Sequence, residues 1–77
     1  MYEVIAATRD VIGRAGNYEE CVSLWETHRD ENGYGARDCP YAHIVELETR
    51  VTLAKISYNG RLWSPDGKTE LQPPYKH

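Results

Sequence analysis

The residues best suited to chemistry in this 77-residue chain are two cysteines and three histidines, and two of them stand four apart in Cys39-Pro40-Tyr41-Ala42-His43. Thiolate and imidazole are the ligands that structural zinc prefers, held at roughly 2.0–2.3 Å in sets of four. Cys21 and His28 would complete such a set with Cys39 and His43. Those two, however, fall within a stretch that reads as one helix, two turns or about 10.5 Å apart along its axis. Both can reach one ion only if the helix breaks, which leaves at most a three-ligand site using one of the pair. Otherwise Cys21 is a small hydrophobe on a helix face and Cys39 a loop thiol. A Cys21–Cys39 disulfide would help so small a domain, but nothing in the sequence signals an oxidising compartment. No metal and no cofactor is expected.

The five residues CPYAH resemble the ending of the CCCH class of zinc fingers. That family also places two cysteines upstream, about five and then about eight residues further back. The corresponding region, roughly residues 24–34, has no cysteine. The resemblance therefore implies neither a complete zinc site nor the RNA binding of the family. DCPYAH reads instead as a junction, in which Pro40 ends a loop and Ala42-His43 lead into a strand.

Catalytic signatures are missing too. There is no glycine-rich phosphate loop, no G-x-S-x-G and no H-E-x-x-H, and a substrate cleft is hard to build from one helix in a chain this short. A non-enzymatic protein is expected. The aromatic usage says more: six Tyr and two Trp, with no Phe. Tyr and Trp join a broad apolar face to a polar tip and are enriched where proteins dock. Trp25 and Trp63 are expected in the core. Tyr34 and Tyr41 in a loop, and Tyr75 in the tail, are candidate contact residues.

Charge divides these aromatics between two settings. The formal net charge is −3, but residues 1–49 carry four Arg against ten Asp plus Glu, and residues 50–77 carry five Lys plus Arg against two acids. Glu19, Glu20, Glu26, Asp30 and Glu31 crowd one predicted helix with only Arg29 to oppose them. Such an array can occupy a partner's basic groove and be steered there by long-range attraction. Glu19, Glu26, Asp30, Tyr34 and Tyr41 are therefore the candidate protein-binding residues. The alternative set is Arg50, Lys55, Arg61 and Trp63, where cations beside an aromatic would suit a nucleic acid.

The elements that must position these residues are legible in outline. YEVIAA (2–7) and VIGR (11–14) read as two strands around a turn at 8–10. A helix competes there, because Val4, Ile5, Thr8, Val11, Ile12 and Ala15 also fall at helical spacing. The clustered β-branched residues and the glycines at 13 and 16 favour the hairpin. Asn17 with Glu20 approximates a capping box, Tyr18, Cys21, Val22, Leu24, Trp25 and His28 line one side, and Gly33 is a natural stop. The spacing predicts a helix over 18–31. Two more strands follow, HIVELET and VTLAKISY, with Val45, Leu47, Val51 and Leu53 as the apolar side. That side then shifts to Ala54, Ile56 and Tyr58, which requires a tight turn near Glu48–Arg50, a bulge near Leu53–Lys55, or both. Asn59-Gly60 predicts a two-residue type I′ hairpin pairing Ile56 with Trp63. SPDGK makes a further turn, and TEL adds a short edge strand.

The expected architecture is α+β, one amphipathic helix packed on a small antiparallel sheet in the order β-β-α-β-β-β. The chain, 1–77, is expected to be a single small domain with 72–77 as an extended tail. No stretch approaches the ~18 apolar residues of a membrane helix, and MYEVIAATRD has no signal-peptide character, so a cytoplasmic location without membrane contact is expected. Ordering so few residues consumes nearly all that burial supplies, so a homodimer or a complex is the expected working state. The expected function is to dock on, and modulate or inhibit, another macromolecule. In size and charge the chain resembles small acidic inhibitors of phage or mobile-element origin, among them anti-restriction and anti-CRISPR proteins.

Overall fold

The computed structural model describes residues 1–35 and 37–71. It is α+β: strands β1 (Tyr2–Ala6) and β2 (Val11–Ala15), helix α1 (Tyr18–Asn32), then β3 (Tyr41–Glu46), β4 (Thr52–Ser57) and β5 (Leu62–Trp63). The strands form one antiparallel sheet in the order β2-β1-β3-β4-β5. Residues 2–15 are a hairpin and not a helix. Residues 72–77, including Tyr75 and the expected tail, lie outside the described residues.

Local signals set the bounds of α1. Asn17 is its N-cap, and its side chain accepts from the Glu20 amide at 2.8 Å, while Glu20 reaches back to the Gly16 amide at 3.3 Å. Gly33, at φ 64°, takes the left-handed position that ends the helix. Its amide bonds to Asp30, and the Tyr34 amide bonds to Arg29, a Schellman pair. The helix buries Cys21, Val22 and Trp25 on the sheet. Opposite them lie Val4 and Ala6 of β1, Ala15 of β2, Ala42 and Ile44 of β3, Ala54 and Ile56 of β4, and Leu62 of β5. Trp25 is fully buried and donates its indole N–H to the Ser57 carbonyl at 3.1 Å, pinning α1 to the end of β4.

Three irregularities decide which residues face the helix. Ile12 is an extra residue in β2, since Val4 pairs with Gly13 but Ile5 with Val11. Leu53 is extra in β4, since Ile44 pairs with Ala54 but Val45 with Thr52. The expected turn is present as well, with the Arg50 amide bonded to the Glu46 carbonyl and Arg50 at φ 61°. The inner residues of β3 are nonetheless Ala42 and Ile44, and Val45 faces the other way.

The third irregularity corrects a register. The Ser57 amide bonds to the Arg61 carbonyl and the Gly60 amide to the Ser57 carbonyl. Tyr58, Asn59 and Gly60 thus form a three-residue loop, closed by Gly60 at φ 88° while Asn59 keeps a negative φ. Ile56 therefore pairs with Leu62, and Lys55 with Trp63. A slip of one residue exchanges faces. Leu62 is in the core, and Trp63 is half-buried on the opposite side of the sheet.

Candidate functional site

The one-helix architecture leaves two outward surfaces, the outer side of α1 and the face of the sheet turned away from it. The expected protein-binding residues do not share either one. Glu19 and Asp30 are exposed on α1, with Asp30 bonded to its neighbour Arg29 at 3.0 Å. Glu26 turns toward the Tyr58–Gly60 loop, close enough that a Cβ on Gly60 would stand 2.9 Å from its carboxylate. Tyr34 is tied into the interior: its carbonyl accepts from the Tyr58 hydroxyl at 2.8 Å and its ring lies against His28, centroids 5.6 Å apart. Arg29 completes this seam by donating to the Tyr58 carbonyl at 2.6 Å and lying over the Tyr58 ring. Tyr41 is not in a loop. It opens β3 and, alternating with the buried Ala42, faces away from the helix.

The alternative set is divided as well, but part of it is brought together with Tyr41. Val11, Ile5, His43, Lys55 and Trp63 are successive register partners across all five strands, so one residue from each strand lines a single row on the open face. At ~4.8 Å per strand the row runs roughly 19 Å. Tyr41 stands beside it, its ring edge-on to His43 with centroids 5.1 Å apart. The Lys55 ammonium lies 4.2 Å from the centre of the Tyr41 ring. Beyond Trp63 the row ends at Glu70, its bridge partner. Burial, and secondarily the charge of Lys55, lowers the pKa of His43 below the usual imidazole value, so His43 is neutral at pH 7.

Arg50 sits at the other end of the open face. There Glu3 is buried under two arginines, Arg50 at 3.1 Å and Arg14 at 3.5 Å, whose side chains remain two-thirds exposed. Arg61 lies at the edge, 3.7 Å from Glu70. Lys55 belongs to none of the ion pairs among the described residues. The open face and its edge thus carry Arg14, Arg50, Lys55 and Arg61 against Glu3 and Glu70, while the outer side of α1 is acidic.

Two cavities flank these surfaces. A groove of about 470 Å³ between α1 and β2 is lined by Ile12, Leu24 and His28, with Arg14, Glu20 and Glu31 also on its walls. A slot of about 290 Å³ opens on the sheet face between Pro40, Tyr41, Lys55, Ser57, Trp63 and Gly67.

The motif that first suggested chemistry is a structural joint. Gly35 accepts from the amides of Asp38 and Cys39, and its own amide bonds to the Asp38 carboxylate at 3.0 Å, making the turn into β3. Cys39 and Cys21 are both buried free thiols. Burial pushes the Cys21 thiol up to about 11. Among the described residues no three His, Cys, Asp or Glu side chains gather as a metal would need, and no helix is long and apolar enough to cross a membrane.

Sequence reasoning grouped Lys55 with Trp63, put Tyr41 in the other set and expected Trp63 in the core; it weighed His43 only as a metal ligand and missed Ile5, Val11 and Arg14 as surface partners. Alternation along β3 was the available signal, once its inner residues were known to be Ala42 and Ile44. Comparison with protein-family models, with curated proteins and with solved structures finds no match to this chain, so any functional reading rests on this geometry.

Proposed function

We propose that this chain is a non-enzymatic docking domain that binds a single-stranded nucleic acid on the open face of its sheet, and that it modulates or blocks other activities on that strand. The observation that carries the reading is the row Val11–Ile5–His43–Lys55–Trp63 with Tyr41 beside it. Aromatic surfaces interleaved with cations on a flat sheet are what a flexible polyanion with planar bases requires. Arg14 and Arg50 at one end and Arg61 at the edge extend the positive charge along it. Net acidity is not concentrated on this face: α1 alone carries five of the twelve acidic residues, on the layer behind the sheet, where physiological salt with a Debye length of about 8 Å screens them.

A protein partner on the acidic side of α1 is the second reading. It is favoured by Glu19 and Glu31, which are exposed and in none of the ion pairs among the described residues.

The test is fluorescence anisotropy with a labelled dT12 strand, at low and at physiological salt. The expected result is binding whose logarithm falls with log salt at a slope near −2, from about 0.7 per phosphate contact and three contacts. Lys55→Glu with Arg61→Glu should abolish it, and Glu19→Lys with Glu31→Lys should leave it intact. The opposite pattern would overturn the proposal in favour of the acidic helix. Equal affinity for a polyglutamate of similar length would assign the face to an acidic polypeptide. Native mass spectrometry of the same samples gives the stoichiometry and shows whether the chain acts as a homodimer.

A further inference from the structure

We infer that the slot between Pro40, Tyr41, Lys55 and Trp63 is a site for one nucleotide unit, its base laid on the Trp63 indole and its phosphate on the Lys55 ammonium. This rests on the sheet-face reading above and specifies where on that face a strand is gripped.

Size is the first argument. At about 290 Å³ the slot lies at the lower limit of small-molecule pockets. That is about the room taken by one planar ring with its phosphate. The second argument is unmet hydrogen bonding. An ammonium has three donors, and Lys55 has neither a carboxylate nor any other hydrogen-bond acceptor among the described residues; its one recorded partner is the Tyr41 ring face. The Trp63 indole N–H is covered and likewise finds no acceptor. Lys55 and Trp63, paired across β4 and β5, both line the slot, and there the ammonium has nothing to donate to. A phosphate oxygen suits the ammonium.

The third argument is the space held beside the charge. Gly67 sits at φ 75°, and a Cβ there would come 3.4 Å from the Lys55 nitrogen. The turn from Ser64 is held by the Gly67 amide on the Ser64 carbonyl at 2.8 Å and by the Lys68 amide on Asp66 at 3.0 Å. A side chain at 67 would crowd the ammonium. Glycine leaves that approach clear for an anion. Pro40 supplies an apolar wall, and Tyr41 is held by Lys55 over its ring and by His43 at an angle of 69° to it. The indole is then the surface free to stack.

The chemistry recognised is a nucleoside monophosphate, whether free or as a unit of a strand, and the experiment separates the two. The Trp63 indole N–H is followed by NMR, assigned by its loss in Trp63→Phe, with the Trp25 indole as internal control. Thymidine monophosphate should shift the Trp63 signal and leave Trp25 in place, whereas inorganic phosphate or thymidine alone should do much less. Affinity for dT12 should fall roughly tenfold in Trp63→Ala, the usual loss of one stacked base. Lys55→Gln should flatten the salt slope by about 0.7. If the alanine variant fails to fold, Trp63→Phe, with a smaller ring, should still weaken binding measurably. Undiminished dT12 binding in the Trp63 and Lys55 variants, with no shift from the monophosphate, would overturn the slot while leaving the sheet face standing. A monophosphate shift without any dT12 binding would keep the slot and overturn the strand reading. Neither signal, at low salt, removes both.

Discussion

Replacing Gly60 by alanine tests the turn that places Trp63 on the open face. Gly60 closes the three-residue loop at φ 88°, where an L side chain costs about 1–2 kcal/mol. Alanine also restricts the unfolded chain, which returns roughly 0.4–1 kcal/mol. A second cost is steric: the new Cβ would stand 2.9 Å from a Glu26 carboxylate oxygen and 3.2 Å from its carbon. That oxygen ends a flexible side chain that holds no hydrogen bond or ion pair among the described residues, so it can swing away cheaply. The backbone contribution should dominate, for a net loss of about 1 kcal/mol. In a domain of this size that lowers Tm by roughly 4–8 °C. The assay is thermal and urea unfolding of Gly60→Ala, alone and in a Glu26→Ala background. The loss should persist in that background to within about 0.5 kcal/mol, and Gly60→Asn should cost less, because asparagine tolerates positive φ. A Gly60→Ala variant more stable than the parent would refute the three-residue geometry. A loss that vanishes with Glu26→Ala would refute the backbone argument and leave only the clash.

Other outcomes follow from the same structure. Trp25→Phe removes the donor to the Ser57 carbonyl and leaves a gap in the core, and should cost about 2–4 kcal/mol in urea unfolding. Because burial raises the Cys21 thiol to about 11 from 9.0, the unfolded chain loses this proton first as pH rises. Stability is therefore unaffected below about pH 9 and falls between about 9 and 11, and Cys21→Ala should flatten that fall in pH-dependent unfolding. His43, with its pKa lowered, resists protonation in the folded state, so its contribution to stability is present above the ordinary imidazole range and lost as pH drops below it. An NMR titration should place the His43 midpoint below the ordinary imidazole value, and bound dT12 should move it upward.

What could be read in advance was what depends on a few adjacent residues. Asn17, Glu20 and Gly33 bound the helix because caps are made by neighbours. Gly13 and Gly16 tipped residues 2–15 toward a hairpin for a similar reason. Asn59-Gly60 marked the turn correctly but could not choose its length. That choice depends on whether Leu62 or Trp63 goes under the helix, and Trp25 already fills that space with its indole bonded to Ser57. The row on the open face was less legible still. Its residues come from positions 5, 11, 43, 55 and 63, and two bulges invert the parity by which a strand's faces are counted. The acidic helix was visible as a run of charge, yet the placement of Tyr34 and Glu26 against Tyr58 and Gly60 depends on a loop nearly thirty residues away.

The bulges at Ile12 and Leu53 bear on how this chain can change its length. At each, the pairs on either side, Val4–Gly13 with Ile5–Val11 and Ile44–Ala54 with Val45–Thr52, already have the orientations of an uninterrupted ladder. Removing the extra residue would forfeit its own packing but would not turn any neighbour over. Removing a residue elsewhere in β4, such as Lys55, would carry the following side chain across the sheet. Single-residue gaps are thus accommodated at two positions and resisted between them. A relative one residue shorter than this chain, aligned by its surface, should place its gap at Ile12 or Leu53.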